Sequence, residues 1–449
     1  MSLEKSNIYD VVIIGAGVCG TSLLYTLSNY TNVKNIALIE KNSAVALVNS
    51  HKNSNSQTLH FGDIETNYSL EKATKVNRAA TLVKNYLLQQ DRDGKIYTKY
   101  HKMVLAVGRE QVGKLRSRYQ EFKSFFPDLR LLNREEIEKI EPKVVWKRDA
   151  EEEILALFTL DGYTINFQKL AESFLDNALN KAEKTIDVMM ETKVTKIVKQ
   201  NEFYLIKAGP KKIVTKTVAV MAGAHSLLLA KSLGYGQQYA LLSAAGSFYF
   251  APEMLKGKVY GVQRPKLPFA AIHGDPEVDD PTMTRFGPTA KVLPMLERHN
   301  YATIYTYFKT AGLSLKAFQS FLKILSDLTI FKYILVNLLY DIPVIGKRLF
   351  IKEVRKIIPS IKLSDLTFAK GYGGIRPQIV NLETKSLDLG EAKILGDKII
   401  FNITPSPGAS TCLQNAEDDT NRIVKFLGKD YYFDRKKFEG DLKAVATTI

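Results

Sequence analysis

The chain has little of what staples or metallates a fold. Its 449 residues include two cysteines, Cys19 and Cys412, one tryptophan and six histidines. Two cysteines so far apart provide no disulfide framework, no zinc knuckle and no four-cysteine iron–sulfur cluster. Their scarcity suits a reducing compartment. Long apolar runs are missing too. No stretch approaches the roughly 20 apolar residues of a membrane-spanning helix, and the least polar one, YILVNLLY at 333–340, is closed by Lys332 and Asp341. The opening MSLEKSNIYD is charged and leads straight into an expected strand, so neither a signal peptide nor a transmembrane helix is expected. No repeat or low-complexity segment is visible. The length is comfortable for two domains. Hydrophobic and charged contents of 45% and 24% are those of a globular chain.

What the chain has in excess is positive charge: 63 Lys and Arg against 47 Asp and Glu, a net +16. Such a surplus favours a polyanionic partner, either nucleic acid or an anionic membrane surface. Simple solubility is the bland alternative. No nucleic-acid recognition module is visible, so no nucleic-acid partner is expected.

Residues 10–15, DVVIIG, form a continuous apolar run, as in a strand buried on both faces of a parallel sheet. Glycines follow, then a helical segment from Thr21 to Tyr30, then a second strand, NIALIE at 35–40, which together read as a βαβ unit. REEIEKIEPK at 134–143 reads as a charged helix stopped by Pro142, and 166–181 as an amphipathic helix with Phe167, Leu170, Phe174 and Leu175 on one face. Three strands are expected over 192–220, ending in the small-residue turn MAGAH. Beyond about residue 235, GSFYFAP, KVYGV and ATIYTY look strand-like; 314–340 looks helical and 345–362 is strongly basic. The fold class expected is α/β. A discontinuous Rossmann-like nucleotide-binding domain (1–85, 155–235 and 365–449) carries an inserted substrate or cap domain (86–154 and 236–364) of mixed or antiparallel sheet plus helices.

Gly15-Ala-Gly17-Val-Cys-Gly20 follows the first strand and opens the helix, and Glu40 ends the next strand. Gly15 permits the tight turn, Gly17 lets backbone approach a pyrophosphate, Gly20 lets helix and strand pack closely, and the helix N-terminus faces the phosphate charge. Glu40 is placed to accept hydrogen bonds from a ribose, and Lys41 beside it joins the expected cofactor contacts. The motif alone is weak. In register with strand, helix and acid it indicates a dinucleotide site, and this stretch does not separate NAD from FAD.

The rest of the chain does. VMAGAHS (220–226) resembles the second FAD contact of the D-amino-acid oxidase superfamily, and ITPSPGAST (403–411) resembles its closing motif, a glycine-containing loop feeding a helix N-terminus under the isoalloxazine. NSNSQTLHFGDIETNY (53–68), SFYF, KLPFAAIHGDP, TRFGPTA, GIRPQ and TPSPGAS together resemble the malate:quinone oxidoreductases in a shorter bacterial form. The L-2-hydroxyglutarate dehydrogenases carry similar stretches. The resemblance spans most of residues 8–430. It implies FAD held by Gly15, Gly17, Gly20, Glu40 and Lys41, by Ser56 and Gln57, by the backbone of Val194 at the adenine, by Ala222 and Gly223, and by Pro405, Gly408, Ala409 and Ser410. The implied reaction is oxidation of malate to oxaloacetate, with electrons leaving to a quinone on the cytoplasmic side of a bacterial inner membrane. Another 2-hydroxy acid is the nearer alternative; a non-catalytic FAD-binding protein is the more distant one.

That chemistry needs a cation to clamp the substrate carboxylate and a base for the hydroxyl proton. Arg376 in GYGGIRPQ is the expected clamp, because arginine presents a planar fork to a carboxylate. Arg285 in TRFGPTA is expected to hold the second carboxylate, with Arg264 and Lys266 as competitors. His273 in AAIHGDP is the expected base, oriented by Asp275. His60 is expected beside the flavin, lining the site with Ser56 and Gln57. His225 is expected to be packed in its turn. There is no second glycine fingerprint for a nicotinamide cofactor. From Ala311 to Lys362 nine Lys and Arg stand against three Asp and Glu, interleaved with apolar residues at helical spacing. Such a segment suits an anionic bilayer, although a stripe of this kind more often faces a core.

Overall fold

The computed structural model describes residues 8–263, 271–311, 315–340, 342, 344–388, 392–404 and 407–443. The predicted βαβ unit is present as β1 (Tyr9–Ile14), α1 (Val18–Tyr30) and β2 (Asn35–Ile39). β1 pairs in parallel with β2 on one side and with the strand Lys211–Val220 on the other. Its apolar run therefore has no exposed face, and Val11, Val12 and Ile13 are fully buried. Five parallel strands lie in the order Ile399–Asn402, Lys211–Val220, β1, β2, Thr185–Met189. Lys393–Gly396 pairs antiparallel at one edge. The hairpin Val194–Gln200 and Phe203–Ala208 extends antiparallel from Lys211–Val220.

α1 is buried nearly all round, between the sheet and the helices Phe167–Leu179 and Cys412–Leu427. Its leucines Leu23, Leu24 and Leu27 are fully covered, each contributing about 1.5–3 kcal/mol by burial. Its buried hydroxyls bond back to the helix, as Thr26 Oγ1 does to the Ser22 carbonyl at 2.8 Å. The amphipathic helix starts at Phe167, capped by the Asn166 side chain on the Lys169 N–H, and buries Leu170 and Phe174.

The second sheet has eight strands in the order Thr367–Phe368, Tyr249–Pro252, Met283–Gly287, His273–Pro276, Lys258–Gly261, Tyr97–Val107, Ile154–Ile165, Arg130–Leu132. The strand over 154–165, expected in the nucleotide-binding part, is hydrogen-bonded here to Tyr97–Val107. A third sheet orders Lys291–Val292, Tyr239–Ala245, Ile375–Asn381 and Ser386–Asp388, all antiparallel. Helices Leu315–Leu325 and Leu328–Leu339 follow; Ala317 and Ile324 of the first pack on Ala240, Leu242 and Val380 of this sheet.

Two local expectations change. Pro142 does stop the helix Arg134–Ile140, but it also begins a further short helix, Pro142–Val145, because proline at the first helical position loses no hydrogen bond. ATIYTY is not a strand. Thr303–Ala311 is a helix, its β-branched and aromatic composition overridden by packing of Tyr307 into the core behind the parallel sheet.

Candidate active site

A cleft of about 600 Å³ runs along the C-terminal ends of the parallel strands, where ligands of open α/β sheets bind. At its floor the glycine loop turns. Gly15 has φ +103°, and a Cβ there would stand 2.6 Å from the Met221 carbonyl oxygen; one on Gly20 would stand 1.9 Å from the Gly15 oxygen. Gly17 caps α1 without a side chain and lines the cleft. Glu40 is anchored beside this turn. One carboxylate oxygen accepts the Ala16 N–H at 2.8 Å, and the other accepts the Asn42 N–H and side-chain amide. Lone pairs remain on Glu40 for hydroxyls facing the cleft.

Val194, Ala222 and Gly223 line the same cleft from the neighbouring strand ends, and Gly408, Ala409 and Ser410 close its far end. Ser410 Oγ accepts the His60 N–H at 3.0 Å, tying that closing turn to the loop after β2. Bare backbone at the turn, an acidic acceptor and two helix starts fit a dinucleotide. Lys41 lines the cleft while ion-paired with Glu297. Pro405 lies outside the described residues, as do Arg264 and Lys266.

The loop 49–60 forms one wall, with Ser54, Asn55, Ser56, Thr58 and His60 facing in. It is gripped from behind. Gln57, with φ +51° and no exposure, points away from the cleft. Its amide donates to the Lys52 carbonyl at 3.0 Å and to Glu277 at 2.9 Å, and its oxygen accepts the Val278 N–H at 3.2 Å. Arg285 donates to the carbonyls of Asn55 and Ser56 at 3.2 and 2.8 Å and to Asp275 at 3.1 Å. Lys258 donates to Asp275 at 2.9 Å and to Thr58 Oγ1 at 3.2 Å.

Arg285 is thus fully buried behind the wall and does not line the cleft. Its guanidinium is spent on backbone carbonyls and on Asp275, its direct cross-strand partner. His273 is not brought to the cleft either. It is 1% exposed, in the middle of the second sheet, tilted against Tyr260 with ring centroids 4.7 Å apart. Among the described residues its Nε2 has no hydrogen-bond partner, and it lies 3.7 Å from Asp275. Burial, above all, pushes its pKa down to about 3, against the pull of Asp275. Arg285 and Lys258 hold the Asp275 carboxyl down at about 2 despite its burial.

Two of the four expected catalytic side chains do reach the cleft, His60 and Arg376. His60 Nδ1 lies 2.7 Å from Glu65 Oε1. Burial drives the Glu65 carboxyl upward, but its hydrogen bond and attraction to His60 outweigh that, and its pKa falls below the usual range. Arg118 fixes the turn behind by donating to the carbonyls of Glu65 and Tyr68. Arg376 lies opposite Ala244 in the third sheet. Among the described residues its guanidinium has no hydrogen bond or ion pair, and burial lowers its pKa. The glycines before it are needed for close packing. A Cβ on Gly373 would meet the Gly246 oxygen at 2.0 Å, and one on Gly374 the Ser54 oxygen at 2.2 Å. Glu65, Arg118, Lys258 and Glu297 were not singled out from the sequence. Of these only Glu65 had a visible signal, an acid in the same polar stretch as His60.

The model of the malate:quinone oxidoreductases matches residues 7–418. The chain belongs to that family. A probable malate:quinone oxidoreductase of Campylobacter jejuni is 42% identical, covering 97% of this chain and 99% of its own. A malate:quinone oxidoreductase of Helicobacter pylori is 41% identical, covering 97% of each. The human mitochondrial L-2-hydroxyglutarate dehydrogenase is 24% identical over 91% of this chain and 87% of its own. The fold also matches that of an L-alpha-glycerophosphate oxidase from Mycoplasma pneumoniae solved with FAD bound. That likeness has TM-score 0.65, 18% identity, and coverage of 94% of this chain and 95% of the other. A malate:quinone oxidoreductase family member of this kind is an oxidoreductase on a Rossmann-like flavoprotein fold.

Proposed function

We propose that this chain oxidises (S)-malate to oxaloacetate with FAD as resident cofactor, which when bound accepts hydride from the substrate C2 at N5, the electron pair then leaving to a membrane quinone. The observation that carries this reading is Arg376, a guanidinium with no hydrogen bond or ion pair among the described residues, in the cleft that also holds the dinucleotide cradle and the His60–Glu65 pair. An unpaired, largely buried cation is costly unless an anion joins it. The fork of Arg376 fits the C1 carboxylate of a 2-hydroxy acid.

Gly15, Gly17, Glu40, Val194, Ala222, Gly223 and Gly408–Ser410 would hold the cofactor. Arg376 binds and orients the substrate carboxylate. His60 takes the C2 hydroxyl proton on Nε2, because Nδ1 is engaged by Glu65, which fixes the ring and stabilises the imidazolium that forms.

Among the described residues no helix is long and apolar enough to cross a membrane. Helices Leu315–Leu325 and Leu328–Leu339 nevertheless carry apolar side chains on both sides. Ala317 and Ile324 face the third sheet, while Leu322, Leu328, Phe331 and Leu335 are exposed, as are Val344 and Ile345 beyond. Lys316, Lys323, Lys332 and Arg348 border them. A surface of this composition supports peripheral contact with an anionic bilayer, from which a quinone would reach the cofactor.

Anaerobic mixing with a panel of 2-hydroxy acids, followed by a quinone, tests the reading. Malate should bleach the flavin fastest and the quinone should restore its colour. Faster bleaching by L-2-hydroxyglutarate would assign the longer substrate instead, since one methylene is worth only about 1–3 kcal/mol in a pocket.

A further inference from the structure

The cleft has a wall that the parallel sheet does not supply. Asn300, Thr303, Thr306 and Lys309 line it together with Glu40 and Val194; Asn300 comes from the segment leading into the helix Thr303–Ala311 and the other three from the helix itself. That segment is anchored at its back. Leu296 and Tyr307 are buried in the core behind the sheet, the Tyr307 hydroxyl donates to the Leu241 carbonyl at 2.9 Å, and Lys231 donates to the Thr310 carbonyl at 2.8 Å. At the cleft it is held by one carboxylate. Glu297, 6% exposed, accepts from Lys41 and from His225 Nε2 (2.7 Å) on one oxygen, and from Asn300 at 2.9 Å on the other. The N–H groups of Leu296 and Glu297 donate to Thr303 Oγ1 at 3.2 and 3.3 Å, so the turn carrying the carboxylate is itself preformed.

The two side chains on that shared oxygen come from opposite sides of the cradle. Lys41 directly follows Glu40 at the end of β2, and His225 stands in the turn after Lys211–Val220. We propose that residues 296–309 form a strap across the adenosine half of the dinucleotide and that Glu297 is the latch fastening it to both walls of the cradle. The proposal rests on the cleft holding FAD. It assigns Lys41 and His225 to retaining the cofactor through Glu297 rather than to the reaction. Asn300, Thr303, Thr306 and Lys309 become the strap's own contacts with the nucleotide. Both side chains share one oxygen, so removing either leaves the latch half fastened.

A gate differs from a simple affinity contact in its kinetics: loosening it speeds passage in both directions. Stopped-flow measurement of FAD uptake by the deflavinated full chain, and of release by flavin fluorescence, reads both rates for the parent, Glu297→Gln and Lys41→Met. Release should quicken at least about tenfold in Glu297→Gln and less in Lys41→Met, with uptake quickened as well and the circular dichroism unchanged. Lys41→Met keeps the test decisive should Glu297→Gln fail to fold. Parent-like rates in a folded variant would overturn the strap. Faster release with unchanged uptake would also overturn it, making Glu297 an ordinary affinity contact. A parent chain that takes up no FAD at all would instead remove the flavoenzyme reading, and the strap with it.

Discussion

His60 Nδ1 and Glu65 Oε1 stand 2.7 Å apart at the edge of the cofactor cleft, the only histidine–carboxylate pair among the described residues in which the imidazole lies on the loop wall facing Arg376. A buried carboxylate on one ring nitrogen leaves the other free to accept a proton. His60→Gln should therefore lower kcat by about 10²–10⁴-fold, the usual range for a general base, with the bound flavin spectrum kept. Glu65→Gln should act in the same direction but less. Steady-state kinetics with malate checks both, and parent-like turnover in His60→Gln would remove the pair from the reaction.

Arg376 lines the cleft and has no anionic partner among the described residues. Arg376→Lys keeps the charge but loses the planar fork, so KM for malate should rise and kcat fall together. Arg376→Met should be worse in both while still binding FAD, because the cradle residues are elsewhere. A variant with unchanged KM and kcat would release Arg376 from substrate binding.

Asp275 is the one carboxylate among the described residues paired with both of two fully buried cations, Lys258 and Arg285. Asp275→Asn leaves both without an anion, and breaking a buried pair in this way costs about 3–5 kcal/mol. Thermal unfolding should show a clear loss. Since the cations also hold Asn55, Ser56 and Thr58, malate turnover of the folded fraction should fall as well.

His273 gives a pH prediction of the opposite kind. Its pKa in the folded chain, about 3, lies below the 6.5 of the free side chain. The unfolded chain therefore binds the extra proton, and stability falls as pH drops from 6.5 towards 3, by at most about 1.4 kcal/mol per pH unit from this group. His273→Gln should flatten the fall in Tm between about pH 7 and about pH 5. Asp275, already ionised throughout that window, does not contribute to it.

For the membrane surface, Phe331→Glu combined with Leu335→Glu should weaken co-sedimentation with anionic vesicles while malate still bleaches the flavin. Raising the salt should weaken binding of the parent chain too, since the lysine contribution is screened. Binding that ignores both changes would exclude this face.

The cofactor cradle was legible because its chemistry is local. A turn that tolerates no Cβ at Gly15 or Gly20 leaves its mark within six residues, and Glu40 ends the next strand. His60 and Glu65 lay in one quoted stretch, yet their pairing depends on Phe61 turning inward and Gly62 taking φ +82°, which spacing does not reveal. His273 and Arg285 resembled cleft residues because polar neighbours flank them. Only the register that sets Asp275 against Arg285, inside a sheet assembled from segments more than 200 residues apart, buries them. Long-range pairing of that kind leaves no periodic trace in one sequence. The helices at 315–339 show a related limit: amphipathic spacing reveals that a stripe exists, not that Ala317 and Ile324 are covered while Leu322, Phe331 and Leu335 stay exposed.

The order of strands in the parallel sheet also has a bearing on biosynthesis. β1 and its neighbour Lys211–Val220 are separated by some 200 residues of sequence, and Ile399–Asn402, on the far side of that neighbour, follows later still. At about 5–20 residues per second, the interval between β1 and Lys211–Val220 is on the order of 10–40 s on the ribosome. Throughout it the mostly apolar β1 has an open edge, the kind of unpaired strand that makes a partly made chain prone to aggregation.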